Sequence, residues 1–293
     1  MVKRTIVFTN PCRLSLKNSQ LVVENHETGE VKTLPIEDIG VVLVENQMVS
    51  FSVPAINALT DNNSAVVFCD ARHMPSSMLM NLDSNSVQAE TYRYQIEASM
   101  PLKKNLWKQV VEAKIRNQAN LLTEIGRNGD ALKPYYMNVK SGDSDNREGI
   151  AAKIYWDLLF EGPFVRSRYG EEPNSLLNYG YAILRAGMAR AIMGSGLFPA
   201  FALFHKNRYN AFPLADDLME PYRPYVDQIV CNLFAEDKVT LDKETKQALL
   251  RILFIDTRFK EVTRPLEMGL TMTTASLVKC LRGDQKQLSF PVL

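Results

Sequence analysis

Cysteine is scarce in this chain, and the four cysteines lie far apart. Cys12, Cys69, Cys231 and Cys280 form no C-x-x-C pair within the 293 residues. This spacing argues against a structural zinc site and against a disulfide framework, and it suits the reducing cytoplasm. We therefore expect a soluble cytoplasmic protein.

Long apolar runs and net charge are lacking as well. Residues 1–10 do not contain the apolar stretch of a signal peptide, and no later run approaches the length of a membrane span. The chain carries 34 basic and 33 acidic residues, so its whole-chain charge gives no sign of nucleic acid. Any such signal must be local, and no membrane contact is expected.

Several catalytic signatures are also absent. No G-x-S-x-G elbow presents a serine, and no Gly-rich loop carries a P-loop lysine. The short stretch Gly194-Ser-Gly196 indicates only the end of a helix. The chain thus offers no dedicated nucleophile, and ATP hydrolysis is not expected.

The first part of the chain has the short periodicity of β-strands. Turn residues separate short apolar segments from Thr5 to about Asp70, and residues 41–44 form a continuous apolar run typical of a strand buried on both faces. One short helix is predicted from Val53 to Leu59. We predict a small β domain over 1–75, followed by a Ser/Asn/Met-rich linker over 76–90.

Beyond the linker the spacing of apolar residues is helical. One apolar stripe runs from Trp107 to Leu122 and a second from Leu177 to Ile192, each in steps of three and four residues. Further helices are predicted over 148–160, 217–235, 243–255 and 268–282. The expected fold is α+β, with a small N-terminal β domain followed by a larger all-helical C-terminal domain over 91–293.

One segment of the helical region combines a histidine with several carboxylates. His205, one of three histidines, is followed by Asp216, Asp217 and Glu220, whose spacing allows two of them to share a helix face. Glu148, in the first turn of an upstream helix, supplies a further carboxylate. Imidazole and carboxylate ligands together suit Mg²⁺ or Mn²⁺ in phosphoryl chemistry better than zinc.

Each of these residues also has a purely structural interpretation. Glu148 could serve as a capping carboxylate, because acids in a first helical turn favour the macrodipole. His205 could be a satisfied histidine at the edge of the core. Asp217 and Glu220 are spaced as a capping box, with Asp217 at the N-cap and Glu220 at N3. Their combination along the chain favours the metal site.

Basic residues form three local clusters that could hold DNA phosphates. A solvated face is the alternative for each cluster. The predicted DNA-binding residues are Lys206, Arg208 and Arg223 near the histidine, Arg166 and Arg168 upstream, and Arg258, Lys260 and Arg264 downstream.

Four ordered blocks of sequence resemble the integrases of CRISPR adaptation, the Cas1 family, in the short form found in type II systems. The blocks follow the family's order and span most of 148–224, and the chain length and the β-then-helical layout also match. They are Glu148-Gly149 with Ala151-Ala152 and Tyr155-Trp156, Pro173 to Leu184, Gly196 to His205, and Asp216 to Pro224.

This resemblance implies both a site and partners. Glu148, His205 and Glu220 match the catalytic metal ligands for Mg²⁺ or Mn²⁺, although many branches of the family have Asp at the third position. Asp217, one turn away on the same face, is therefore an alternate ligand. The family members form homodimers, for which the β domain is the expected interface. They join Cas2 in a larger complex on double-stranded DNA, and contacts with other type II CRISPR proteins are also open.

The implied reaction is a transesterification in which the 3′-hydroxyls of prespacer DNA attack the CRISPR repeat. The DNA then supplies the nucleophile. Two other classes stay open, a metal-dependent endonuclease that cuts branched DNA with water and a non-enzymatic DNA-binding subunit. The apolar tail over 287–293 is expected either to dock onto the chain's own helices or to contact a partner.

Overall fold

The computed structural model describes residues 3–71, 73–79, 81, 83–167, 170–205 and 207–293. Two four-stranded sheets build the N-terminal region around one short helix, α1 (Val53–Asp61). The first sheet has the order β1-β5-β7-β8 and the second the order β4-β3-β2-β6. The strands are β1 (Arg4–Phe8), β2 (Cys12–Lys17), β3 (Gln20–Asn25), β4 (Val31–Pro35), β5 (Ile39–Val44), β6 (Ser50–Phe51), β7 (Ala65–Cys69) and β8 (Pro75–Leu79).

The remainder of the chain is mainly helical. A two-stranded antiparallel hairpin, β9 (Asp256–Arg258) and β10 (Thr263–Pro265), precedes the last helix. The helices are α2 (Gln88–Glu97), α3 (Met100–Glu124), α4 (Lys133–Tyr136), α5 (Arg147–Leu159), α6 (Asn174–Gly194), α7 (Pro213–Met219), α8 (Arg223–Ala235), α9 (Lys243–Leu250) and α10 (Leu266–Arg282).

Strand β5 lies in the interior of the molecule. It pairs in parallel with β1 and β7, and all six of its residues are buried. Val42 and Val44 face the core of the N-terminal region, whereas Val41 and Leu43 face the helical core. This arrangement explains the continuous apolar run, because alternate side chains of the strand are buried against different layers.

The predicted order, a β-sheet region followed by a mostly helical part, is confirmed. The predicted linker over 76–90 differs from the structure, since Pro75–Leu79 forms β8 against β7 and α2 begins at Gln88. Among the described strands β8 pairs only with β7, so it needs few apolar residues and lacks a clear period. The domain boundaries at 75 and 91 stay predictions.

The C-terminal region is not all helical, which corrects that part of the expectation. The β9–β10 hairpin is too short to give a periodic signal, and Val292 of the tail bridges to Arg258 of β9. Polar contacts also join the two regions, because Arg190 donates to the Asn63 carbonyl over 2.6 Å and Lys246 contacts Glu45. Within the described ranges, no helix is both long and apolar enough to cross a membrane.

Candidate metal centre

Glu148 stands in the first turn of α5, but other residues cap that helix. The Asp143 carboxylate accepts hydrogen bonds from the backbone N–H groups of Arg147 (2.8 Å) and Glu148 (3.1 Å), and Asn146 is the N-cap. These bonds satisfy the open N–H groups of the turn. The Glu148 side chain instead lies with Oε1 2.6 Å from Lys114 Nζ. Glu148 therefore lies in the first turn, where an acid favours the macrodipole, but its side chain is not the one that caps the helix.

Glu220 begins a 3₁₀ turn between α7 and α8. Pro221 and Pro224 lack an N–H group, and each stands at the start of a helical segment, where that group would have no helical partner. The Glu220 side chain is 4% exposed. Its Oε1 lies 2.9 Å from Arg223 Nη2 and its Oε2 lies 2.6 Å from Lys114 Nζ. The Lys114 ammonium therefore bridges Glu148 and Glu220.

Asp217 is inside α7 and is not an N-cap, so the capping-box interpretation is wrong. Its carboxylate, 0% exposed, accepts from the backbone N–H groups of Leu203 (2.7 Å) and Phe204 (2.9 Å). The same carboxylate lies 2.5 Å from His205 Nδ1. A carboxylate at Nδ1 selects the tautomer with the proton on that nitrogen and leaves Nε2 free for a ligand. Asp217 thus orients both the loop and the imidazole.

The surroundings of His205 are aromatic and acidic. Its ring contacts Trp107 edge to face at 5.3 Å, and Phe204 stacks on the same indole at 4.5 Å. The hydrogen bond to Asp217 raises the pKa of His205 against the opposing effect of burial, and the charges of Glu220 and Glu148 add to the rise. The charges of the two predicted carboxylate ligands therefore act on the third predicted ligand, His205.

Lys114 is the central residue that the sequence-based prediction missed. Burial acts to lower the pKa of this ammonium, but Glu220 and Glu148 outweigh it and raise the pKa. Burial likewise acts against ionised Glu220, yet Arg223 and Lys114 keep its pKa below the usual value. A signal was present, because Lys114 follows Val111 by three residues on the apolar stripe of α3. A lysine in phase with buried residues needs a buried partner.

The donor set fits a hard divalent cation in its chemistry. Two carboxylates and an imidazole with a free Nε2 are ligands that Mg²⁺ and Mn²⁺ accept. Oε2 of Glu220 is buried and forms an ion pair with Lys114. It accepts no well-aligned hydrogen bond from the described residues. In the same part of the chain, no group of three or more His, Cys, Asp or Glu side chains forms a preformed metal site. The cation between the two carboxylates is the ammonium of Lys114.

A second buried constellation, also missed from sequence, lies next to this centre. Asp227 of α8 accepts hydrogen bonds from the phenols of Tyr155 (2.8 Å) and Tyr181 (2.5 Å). Burial raises the pKa of this carboxyl to about 6. The guanidinium of Arg223 lies 4.7 Å from the Tyr181 ring centroid. The Asp227 cluster therefore adjoins the metal centre through Arg223.

The predicted DNA-binding residues fall into different environments. Arg223 is paired with Glu220, and Arg166 donates to Asn174 (3.0 Å) and Asn178 (2.8 Å), so both brace the interior of the site. Arg208 is exposed and contacts Tyr209. Three more, Arg258, Lys260 and Arg264, are exposed on the β9–β10 hairpin. The last two, Arg168 and Lys206, lie outside the described residues.

The fold and the donor set together define a β-plus-helical protein with a carboxylate–histidine centre. Residues 5–267 match the family model described as CRISPR associated protein Cas1. Over 257 residues the chain is 36% identical to the CRISPR-associated endonuclease Cas1 of Neisseria meningitidis serogroup C (strain 8013), which covers 86% of this chain and 84% of that relative. The chain belongs to the Cas1 family, and the resemblance found in its sequence is confirmed.

Solved structures share the fold. A casposase bound to its integration product superposes with a TM-score of 0.81 at 18% identity, over 98% of this chain and 92% of that chain. A Cas6-RT-Cas1–Cas2 complex gives a TM-score of 0.74 at 16% identity, over 97% of this chain and 35% of that chain. At these identities the likeness establishes the fold alone.

Proposed function

We propose that this protein is a metal-dependent DNA integrase of CRISPR spacer acquisition. It joins the 3′-hydroxyls of prespacer DNA to the CRISPR repeat by transesterification. The observation that carries this proposal is that Glu148 and Glu220 meet at one buried cation beside His205. Membership of the Cas1 family supports it, since the Neisseria relative is named an endonuclease and the casposase structure contains an integration product.

Each residue of the centre has a distinct role in this proposal. Glu148, His205 through Nε2, and Glu220 would hold Mg²⁺ or Mn²⁺, which when bound would polarise the phosphodiester and lower the pKa of the attacking hydroxyl. Asp217 keeps Nδ1 of His205 protonated and its ring fixed. It is the less suitable ligand because both of its oxygens already accept hydrogen bonds.

Lys114 and Arg223 balance the charge of the carboxylates before metal and DNA arrive. Two carboxylates buried without partners would repel each other strongly, and the two cations at 2.6 to 2.9 Å offset that repulsion. The chain itself contributes no nucleophile to this scheme, so the incoming DNA hydroxyl is the attacking group. Catalysis then depends on orientation and on charge stabilisation.

The partners belong to the same proposal. We infer that the substrates are double-stranded prespacer DNA and the CRISPR repeat, that two copies pair through the β domain, and that Cas2 completes the active complex. Other type II CRISPR proteins are further candidates for partners. The likeness to a chain of the Cas6-RT-Cas1–Cas2 complex supports the Cas2 assignment. The cytoplasmic location stays a prediction.

Substitution of the ligands tests the enzymatic assignment. We expect Glu148→Gln and His205→Ala to fold and to bind duplex DNA, but to lose Mn²⁺- or Mg²⁺-dependent strand transfer by more than about 100-fold, since even residues that only orient ligands are worth 10- to 100-fold. Strand transfer is measured on labelled prespacer and repeat DNA. Glu97→Gln, at the exposed end of α2, is the matched control. Full strand transfer by either ligand variant would refute the metal site.

An endonuclease acting on branched DNA is the second candidate, because the same centre could activate water and the curated relative is named an endonuclease. A prespacer with blocked 3′ ends separates the two reactions. Integration stops with blocked ends, whereas cleavage driven by water continues. Product formation that ignores the block would favour the endonuclease.

The non-enzymatic alternative depended on the acids being helix caps. Other side chains, those of Asp143 and Asn146, cap α5, and Asp217 lies inside α7, which weighs against this alternative. Holding the buried charge of Glu220 against Lys114 and Arg223 is costly, and a functional centre explains it better than a structural role.

A further inference from the structure

The C-terminal tail, residues 287–293, is held along its length by hydrogen bonds between its backbone and side chains of α3 and α10. These bonds join the Leu288 N–H to Gln109 Oε1 (2.8 Å), the Ser289 N–H to Ser276 Oγ (2.9 Å), the Ser289 carbonyl to Thr273 Oγ1 (2.6 Å) and the Leu293 carbonyl to Asn120 Nδ2 (2.9 Å). Phe290 and Leu293 also pack against the helical core. The tail therefore has one defined path across the two helices.

A first link connects the tail to the 3₁₀ turn that carries Glu220. It runs through Asn117 of α3, which is 1% exposed. Nδ2 of Asn117 donates to the carbonyl of Pro291 in the tail (3.1 Å) and to the carbonyl of Pro221 in the turn (2.7 Å). Pro221 directly follows Glu220. One buried amide thus joins the tail and the turn.

A second link runs through α10 to the last residue of the same turn, Tyr222. Its buried hydroxyl lies 2.6 Å from Oγ1 of Thr273. Thr273 Oγ1 donates to the carbonyl of Ser289 in the tail. Because a hydroxyl group has only one hydrogen, Tyr222 is the donor to Thr273. The two links therefore arrive from different helices and hold both residues that follow Glu220.

The backbone of this turn sets the position of the Glu220 side chain. A turn of three 3₁₀ residues has weak hydrogen bonds of its own, so contacts with the rest of the fold define where it lies. A metal ligand must be held within about 0.5 Å of its productive place. Once a metal ion displaces Lys114 from its bridging position, that ammonium no longer fixes the Glu220 carboxylate. The support of the turn from behind then becomes decisive.

We propose that the docked C-terminal tail positions Glu220 for metal binding, with Asn117 and Thr273 as the positioning residues. Loosening the tail frees the turn and weakens the metal site, although the tail itself contributes no ligand. This inference rests on the proposed function only in taking Glu220 as a metal ligand.

Loosening the tail at places that do not touch the turn tests this proposal. The double variant Gln109→Ala/Asn120→Ala removes bonds at both ends of the tail and keeps Asn117 and Thr273. Hydrogen exchange followed by mass spectrometry in EDTA compares the turn, residues 218–223, with strand β5. We expect faster exchange in the turn alone, because a local opening exposes only the segment that the tail holds.

Two results of the exchange experiment would overturn the proposal. Unchanged exchange in the turn would show that the tail does not hold it. Faster exchange in the turn and in β5 alike would assign the tail a general structural role. The matched control is Gln228→Ala/Asn138→Ala, which removes the same two residue types at amides that donate to Glu124 and Pro134.

The metal affinity of the same variants is the second readout. Binding of Mn²⁺ without DNA is measured from the electron paramagnetic resonance signal of the free ion. Residues that orient metal ligands are worth about 10- to 100-fold in affinity. We expect affinity to fall about tenfold in Gln109→Ala/Asn120→Ala and to stay constant in the control. Equal affinity of the loosened variant and the wild type overturns the proposal.

Thr273 separates a hydrogen-bonding role from a packing role. Thr273→Val keeps the shape of the side chain and loses the hydroxyl, whereas Thr273→Ser keeps the hydroxyl. Mn²⁺ affinity should fall about tenfold in Thr273→Val and be retained in Thr273→Ser, as for other residues that orient ligands. Equal affinities in the two variants would overturn the proposal, since the link would then not depend on the hydroxyl.

The two readouts keep this inference apart from the proposed function. If exchange in the turn rises in the loosened variant but the wild type binds no Mn²⁺, the positioning of Glu220 by the tail stands and the metal centre fails. If the wild type binds Mn²⁺ and transfers strands while the loosened variant matches it in exchange and in affinity, the integrase assignment stands and this inference fails.

Discussion

At the residue scale, the sequence predicts which residues are candidate ligands. It does not decide whether each one binds a metal or caps a helix. Glu148, Asp217 and Glu220 each fit a capping position in the local sequence. Only the folded chain reveals that Asp143 and Asn146 cap α5 and that the Glu148 side chain pairs with Lys114 instead. The choice depends on contacts between residues far apart in sequence, which local spacing does not contain.

Lys114 provides a first prediction at this scale. Replacing it in Lys114→Met leaves Glu148 and Glu220 without their shared cation, and breaking a buried ion pair costs about 3–5 kcal/mol. We expect a lower melting temperature in EDTA and a larger rise on addition of Mn²⁺ than in the wild type. Thermal unfolding with and without the metal measures both effects.

The control for Lys114 is Lys108→Met on the same helix, whose surface pair with Glu112 should be worth less than about 1 kcal/mol. Equal melting temperatures for the wild type and Lys114→Met in EDTA would contradict the central place of this lysine.

Asp227 provides a pH prediction. Burial raises its pKa from 3.8 to about 6. Between these values the folded state keeps a proton that the unfolded chain has lost, so stability falls as pH rises through this window and is constant above it. At 1.36 kcal/mol per pKa unit, the loss is about 3 kcal/mol.

Asp227→Asn should remove this pH dependence because the amide does not ionise. Urea unfolding of both proteins between pH 4 and pH 7 measures it, and the stability of the variant relative to the wild type should increase through the window. A constant difference between the two proteins would mean that Asp227 titrates at its ordinary pKa in the folded state.

At the scale of elements, the long periodic helices could be predicted and the short irregular pieces could not. Helices α3 and α6 carry apolar stripes over many turns, which the three- and four-residue spacing identifies. Strand β8 and the β9–β10 hairpin are short and lie at edges, where pairing imposes little on sequence. Pro221 and Pro224 predict a break between α7 and α8, but they do not predict where the Glu220 side chain lies.

The C-terminal tail docks onto α3 close to the metal centre. Asn117 donates to the carbonyl of Pro221 (2.7 Å), which follows Glu220, and to that of Pro291 (3.1 Å), and accepts from the N–H of Leu293 (3.2 Å). One buried amide thus connects the tail to the segment that carries Glu220. Docking onto the chain's own helix, one of the two expectations for residues 287–293, is observed.

Asn117→Leu should destabilise the protein by about 1–3 kcal/mol, because two buried carbonyls and one N–H lose their partner. Urea unfolding measures the change, and Asn105→Leu, on the exposed side of α3, is the control. An unchanged free energy of unfolding would show that the tail does not depend on Asn117.

Contact of the tail with a partner stays a prediction. Deleting residues 287–293 should weaken Cas2 binding if the tail also forms part of that interface. Unaltered affinity in a pull-down titration would reject the idea.

At the scale of the whole molecule, the near-zero net charge does not describe the charge of individual surfaces. The chain has a formal net charge of +1, and the β9–β10 hairpin exposes three basic side chains, Arg258, Lys260 and Arg264, beside two acidic ones, Asp256 and Glu261. Sequence spacing suggested this cluster, but it could not distinguish exposed cations from internal ones. Arg166 and Arg223, predicted in the same way, are held by neighbouring side chains.

The hairpin cluster gives a prediction for DNA affinity. Changing Arg258, Lys260 and Arg264 to Gln should weaken binding equally for different DNA sequences. Each lost phosphate contact should flatten the slope of log affinity against log salt by about 0.9. Anisotropy titrations at several salt concentrations measure the slope, and Lys32→Gln on β4 is the control. An unchanged slope would exclude the hairpin from the DNA interface.

The most direct test of the metal centre is a crystal structure of the protein soaked with Mn²⁺, with anomalous scattering used to locate the ion. We predict anomalous density among the carboxylates of Glu148 and Glu220 and Nε2 of His205, with Lys114 moved away from its bridging position and Asp217 still bonded to Nδ1. No density at that place, with Lys114 still bridging the two glutamates at saturating Mn²⁺, would contradict the assignment.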